Sequence, residues 1–140
     1  MGMLWIRELP AHMDEHKLAV LRAAGEGVFH VARSPRLALL PGDWWRVTDG
    51  QKILGYGWMD TSWGDAEILL AVDPEAQKAG VGNFILDRLE SEARERGLNR
   101  LYNVIPAKHP EPARLRAWLE KRGFKSVGEG GLLQRAVRKN

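Results

Sequence analysis

The sequence predicts an α/β domain built on a mixed β-sheet flanked by helices, in the order β-α-loop-β-β-β-α-β-α-β-β. Three observations carry that prediction. Segments with two-residue apolar alternation are interleaved with segments whose apolar residues recur every three to four positions. Residues 67–72 are so apolar that a strand there needs cover on both faces, as a central strand has in a helix-flanked sheet. Two helical patterns stop at Gly97 and Gly123 and lead straight into new strand patterns. At 140 residues, 44% apolar and 28% charged, the chain has the size and composition of one globular domain, residues 1–140.

Residues 3–9 read as a strand, with Leu4 and Ile6 inward, ended by Pro10. Residues 11–24 read as a helix whose inner face carries Met13, Lys17, Val20, Leu21 and Ala24, stopped by Gly25. Residues 26–42 have no clean period and read as a loop with at most one helical turn. Residues 44–48 and 52–59 are strands joined through Asp49, Gly50 and Gln51, a hairpin signal because glycine accepts positive φ. Gly55 and Gly57 in the second of these point to close backbone approach or a bulge. A turn at residues 62–65 leads into the apolar strand, which Asp73 and Pro74 end. Residues 80–96 form an amphipathic helix with Val81, Ile85, Leu86, Leu89 and Ala93 inward. On its outer face Glu90/Arg94 and Glu92/Arg96 are spaced as i,i+4 pairs. A strand at 99–105 and a helix at 111–122, with Leu115, Trp118 and Leu119 inward, follow. Strands at 124–127 and 132–137 close the chain.

The net charge of +3 and the pI near 9.4 are mild, and the cations interleave with glutamates along the helices. That pattern is a solvated helix face, so nucleic acid is not an expected partner. The absence of cysteine excludes disulfides, thiol catalysis and thiolate metal sites. No apolar run reaches the ~18 residues a membrane span needs. With no signal-peptide core in the first nine residues, the expected address is cytoplasmic. Four of the six tryptophans, Trp44, Trp45, Trp58 and Trp63, cluster within 20 positions, which reads as core or pocket wall. His12 and His16 lie one helical turn apart, but no third ligand is evident, and a solvated helix face is the favoured reading. No metal is expected.

The stretch that carries chemistry is a buried strand followed by Gln77, Lys78, Ala79, Gly80, Val81, Gly82 and Asn83, running directly into a helix. Physically it is an anion cradle. Glycines let backbone N–H groups approach a phosphate, and the helix start adds unpaired donors and the positive end of its dipole. The Gly-Lys-Ser/Thr ending of a Walker loop is absent, and so is the third glycine of a dinucleotide fingerprint.

This strand, Gln-x-x-Gly-x-Gly and helix resemble the acyl-CoA pyrophosphate motif of the Gcn5-related N-acetyltransferase (GNAT) superfamily. The element order is similar to that fold over nearly the whole chain. The segment from Leu115 through Trp118 and Leu119 to Gly123 and Phe124 is similar to the family's fourth-helix ending. The resemblance implies a sheet splayed between its fourth and fifth strands. It also implies acetyl-CoA as the acyl donor, no metal, and direct acetyl transfer to a primary amine in a ternary complex. The amides of residues 77–83 would hold the pyrophosphate, and the pantetheine arm would lie along Leu70, Ala71 and Val72.

Direct transfer needs a neutral amine and therefore a base. The resemblance points to Glu67, near the start of the strand before the cradle. Here it stands five residues before Val72, where family members often have six, and in a strand one residue reverses the face unless a bulge intervenes. The competing reading is a solvent-facing glutamate. Asp60 is the second candidate base, though a turn-capping role is favoured for it. The family's fourth-helix tyrosine, which protonates the departing thiolate, falls at Leu119, and its pantetheine-contacting asparagine falls near Pro112. Tyr102 could supply the proton if it faces the cleft, with core packing as the alternative. His109, in the loop after the 99–105 strand, is either near the cofactor or a plain surface histidine.

The acceptor pocket is expected from residues 26–42 and the third strand, with Phe29, Arg33, Trp44, Trp58 and Trp63 available beside Asp60. An aromatic wall suits a small, partly apolar amine. The expected activity is therefore acetyl transfer from acetyl-CoA to a small-molecule amine. The alternatives are another acyl donor, such as an aminoacyl-tRNA, and a non-catalytic CoA-binding module. The oligomeric state is left open, a homodimer included.

Overall fold

The computed structural model of the chain describes residues 2–23, 40–77, 80–107, 109–128 and 130–139. Phe29 and Arg33, with nearly all of the expected loop, and Lys78 and Ala79 lie outside the described residues.

The elements are β1 (Leu4–Glu8), α1 (Glu15–Ala23), β2 (Asp43–Asp49), β3 (Lys52–Ser62), β4 (Asp65–Val72), α2 (Val81–Glu95), β5 (Arg100–Val104), α3 (Pro112–Lys121), β6 (Lys125–Ser126) and β7 (Leu132–Ala136). A 3₁₀ turn, Pro74–Ala76, follows β4. The strands form one sheet in the order β1-β2-β3-β4-β5-β7-β6. Short turns make β2, β3 and β4 antiparallel neighbours, whereas the α2 crossover brings β5 in parallel to β4. The mixed sheet with flanking helices is the architecture the periodicity predicts.

Two apolar clusters cover the two faces. On one, Val81, Ile85, Leu86, Leu89 and Ala93 of α2 pack on Ala66, Ile68, Leu101 and Leu133. On the other, Met13, Val20 and Leu21 pack on Trp44, Tyr56, Leu69 and Ala71. Gly55 and Gly57 stand where the backbone is crowded. A Cβ at Gly55 would lie 2.6 Å from the Ala71 carbonyl oxygen, and one at Gly57 2.7 Å from the Trp5 ring.

Three expectations shift. Helix α1 starts at Glu15 because the Asp14 carboxylate caps it, accepting from the Lys17 N–H at 2.7 Å. His16 is no plain solvated residue. One ring nitrogen lies 2.8 Å from the Tyr56 hydroxyl and the other 2.9 Å from Asp73. Glu90 is not on the outer face of α2 but is 1% exposed, where its carboxylate accepts from the Arg138 backbone N–H at 2.9 Å and guanidinium at 2.7 Å.

Burial pushes the Glu90 carboxyl up, but the bonds from Arg138 and the charge of Arg135 outweigh it and hold it below the ordinary value of 4.5. A carboxylate depressed on folding stabilises fully above its unfolded value, and the contribution fades as pH falls through that value toward the folded one. Glu90→Gln is expected to cost about 3 kcal/mol near neutrality, as for one partner removed from a buried pair. It should also flatten the loss of stability on acidification from about pH 5 to pH 3. Urea unfolding at stepped pH reads both effects.

Candidate active site

The cradle forms where the chain leaves β4. Asp73 donates its N–H to the Leu54 carbonyl and accepts from the Glu75 N–H at 3.0 Å, which turns the chain into the 3₁₀ segment. The Glu75 N–H and His16 hold the Asp73 carboxyl below its usual range. Burial pushes the Tyr56 phenol far above its ordinary value, so its O–H remains protonated against His16. This chain of contacts ties α1 to the root of the cradle.

Gly80 is the N-cap of α2 in the left-handed region, φ 79°, and no side chain among the described residues caps the helix. Among the described residues, a Cβ at Gly80 would meet nothing within 4 Å. Gly82 differs. A Cβ there would sit 3.3 Å from the Trp118 ring, so this glycine also serves the contact between α2 and α3.

Leu70, Ala71, Val72, Gln77, Gly80, Val81, Gly82 and Asn83 all line one cavity of 570 Å³. Its opposite wall comes from α3 and the residues before it: His109, Pro110, Glu111, Arg114, Leu115 and Trp118. Sequence reasoning assigned most of this wall no ligand role. Trp118 read simply as an inward helix residue. His109 accepts from the Glu111 N–H at 2.9 Å through Nδ1, so the neutral ring carries its proton on Nε2. Arg122, also missed, joins the two helix ends. Its Nε donates to the Asn83 carboxamide oxygen, and its guanidinium lies 3.9 Å from the centre of the Trp118 ring. Burial lowers the Arg122 pKa.

The splay follows from the register. β4 and β5 pair only through Asp65–Arg100, Ala66–Leu101 and Glu67–Tyr102, and the ladder ends there. Glu67 also sits directly opposite Asp60 on β3. Asp60, Glu67 and Tyr102 therefore lie abreast across three strands at the vertex of the splay, side chains on one face. Along β4, Leu69 and Ala71 belong to the α1-side cluster and Ala66 and Ile68 to the α2-side cluster. Alternation thus puts Glu67 on the α1 side without a bulge, since the β3–β4 register runs unbroken from Gly55–Val72 to Ser62–Asp65. Opposed carboxylates are not chosen for sheet stability.

Tyr102 does not pack in the core. It is half-buried on the Glu67 face, and burial followed by the charges of Glu67, Asp60 and Asp65 raises its pKa. It thus stays a phenol, able to donate, at neutral pH. Trp58 is half-buried on the same face, paired with Leu69, and donates through Nε1 to the Pro41 carbonyl at 3.1 Å. The other tryptophans depart from the expected wall. Trp44 is fully buried, and its Nε1 donates to the Pro41 carbonyl at 2.9 Å. Trp63 is fully exposed at the β3–β4 turn, with φ 54°. Among the described residues nothing covers it.

A splayed mixed sheet with a glycine-capped start to its crossover helix defines a class, and comparison with known proteins identifies it. A family model described as an acetyltransferase (GNAT) domain matches residues 41–126, and the chain belongs to that family. An amino-acid acetyltransferase of Pseudomonas putida (strain GB-1) is 39% identical over 59 residues, which is 42% of this chain and 12% of that protein. Among solved structures, the IAA acetyltransferase of Bacillus cereus superposes with a TM-score of 0.74 at 16% identity, over 96% of this chain and 99% of that one. The N-acetylglutamate synthase of Neisseria gonorrhoeae, complexed with coenzyme A and N-acetyl-glutamate, gives 0.72 at 19% identity, over 97% of this chain and 36% of that one. These structural likenesses are likenesses of fold. No helix among the described residues is long and apolar enough to cross a membrane.

Proposed function

We propose that this protein transfers an acetyl group from acetyl-CoA directly to the primary amine of a small molecule. The observation that carries this is one cavity that joins the Leu70–Val72 edge of β4 to the N-terminus of α2, with Glu67 and Tyr102 at the vertex beyond it. The cavity residues fit the donor. The helix start offers N–H groups and dipole to a pyrophosphate, and the unpaired β4 edge offers backbone partners to the amides of a pantetheine arm.

In this reading Glu67, directly or through one water, takes a proton from the acceptor ammonium. The freed amine attacks the thioester carbonyl, and the thiolate leaves carrying the electron pair of the broken C–S bond. A thiolate leaves readily because a thiol has a pKa of only ~8.5, so its conjugate base is stable near neutrality. In this reading the Tyr102 phenol protonates the departing thiolate, and the second proton of the acylated nitrogen passes to the phenolate and restores it. Trp58 beside Glu67 gives the acceptor an apolar wall, and the amino-acid acetyltransferase relative supports a small acceptor.

The test is a thermal-shift titration with acetyl-CoA, followed by an amine panel read by thiol release. Stabilisation with turnover of a small amine is expected. Stabilisation without turnover would point to a binding module, and no response to acetyl-CoA to a different donor.

A further inference from the structure

We propose that Asn103 is a ligand-binding residue: its side-chain oxygen accepts a hydrogen bond from an amide N–H of the pantetheine arm. The inference rests on the acyl-CoA reading of the cavity. Asn103 is the first β5 residue beyond the ladder, 9% exposed among Ile68, Leu101 and Leu133 on the α2 side of the sheet. Its Nδ2 donates to the Ile68 carbonyl at 2.8 Å, spanning the gap just where the backbone pairing stops. A carbonyl oxygen can only accept, so this bond fixes the carboxamide orientation and leaves Oδ1 pointing away. Oδ1 is buried and has no hydrogen-bond partner among the described residues.

A buried acceptor without a donor is costly, and a leucine of the same size would fill the site without that cost. The partner Oδ1 needs is a donor that arrives with a ligand. The position says which part of the ligand. The Ile68 carbonyl points toward the β5 side, so strand alternation turns the Leu70 N–H and C=O to the same unpaired edge. Leu70, Ala71 and Val72 line the cavity, and Asn103, bonded to the carbonyl of Ile68 two residues before Leu70, lies one step deeper along that edge. An extended arm anchored at the cradle and laid along β4 reaches the Asn103 carboxamide last. Pantetheine carries two amide N–H groups and supplies such a donor; the nucleotide end of CoA, held at the cradle, is remote from it.

The experiment is isothermal titration of the full chain and of Asn103→Leu with acetyl-CoA and with 3′-phospho-ADP, which keeps the phosphates but has no pantetheine. Asn103→Leu is expected to weaken acetyl-CoA by about tenfold, the scale of one hydrogen bond, with 3′-phospho-ADP unchanged. Equal loss for both ligands would mean a merely structural role, and no loss for either would mean that Oδ1 is served by water. Both overturn the proposal. Should the variant not fold, side-chain amide NMR of the unmodified protein decides, since the chain has four asparagines. The Asn103 carboxamide signals should move with acetyl-CoA and stay in place with 3′-phospho-ADP. Identical responses to the two ligands overturn the inference, whereas failure of the unmodified protein to bind acetyl-CoA overturns the acyl-CoA reading itself.

Discussion

Glu67→Gln is expected to lower turnover by ~10²–10⁴-fold with acetyl-CoA affinity nearly unchanged, the range for losing a positioned base. The amide keeps the shape of the side chain and removes its capacity to take a proton. Cofactor affinity should hold because Glu67 lies outside the cavity, on the α1 side of the sheet at the end of the β4–β5 ladder. The acidic limb of the pH–rate profile should vanish as well, because that limb reports protonation of the base. Tyr102→Phe, assayed at saturating acetyl-CoA, separates the proton's return from its removal. A drop with the acidic limb intact assigns the phenol, while an unchanged rate assigns water. Unchanged rates across pH in Glu67→Gln would move the base to Asp60, the residue directly opposite.

Much of this arrangement was legible in the sequence because it rests on local rules. Periods of two and 3.6 residues mark strands and helices wherever one face is buried. They identified the inner faces of α1 and α2, including the buried Lys17 among apolar neighbours. The cradle was legible because glycines and a helix start must be contiguous in the chain. What the sequence left open depends on register. Whether Glu67, Asp60 and Tyr102 share a face follows from which residues pair across β3, β4 and β5, and no local signal carries that. Glu90 looked like half of a surface pair because its partner Arg138 is 48 positions away. His16 was likewise opaque, since Tyr56 and Asp73 meet it only through the fold. Trp44 and Trp63 show the limit of composition. One is core and the other exposed, although both belong to a single aromatic cluster in the chain.

Gly80→Asp is expected to abolish measurable acetyl-CoA binding while leaving the fold in place. Gly80 is the better position for this test than Gly82, where any side chain meets Trp118 and would disturb the α2–α3 contact. At Gly80 a Cβ meets none of the described residues within 4 Å, so the expected cost to folding is that of the positive φ. That cost is about 1–2 kcal/mol for an L-residue, and aspartate is among the residues that bear it best. A carboxylate at a helix N-terminus is itself favourable, which offsets part of the strain. It therefore occupies, with a fixed charge of the wrong sign, the same field that an incoming pyrophosphate would use. Gly80→Ala supplies the control, since it carries the backbone strain without the charge and should weaken binding only several-fold. Calorimetric titration of both variants, with unfolding curves to confirm that each is folded, gives the comparison. If Gly80→Asp binds acetyl-CoA as well as Gly80→Ala does, the start of α2 does not hold the phosphates, and the cavity must receive its ligand in another orientation.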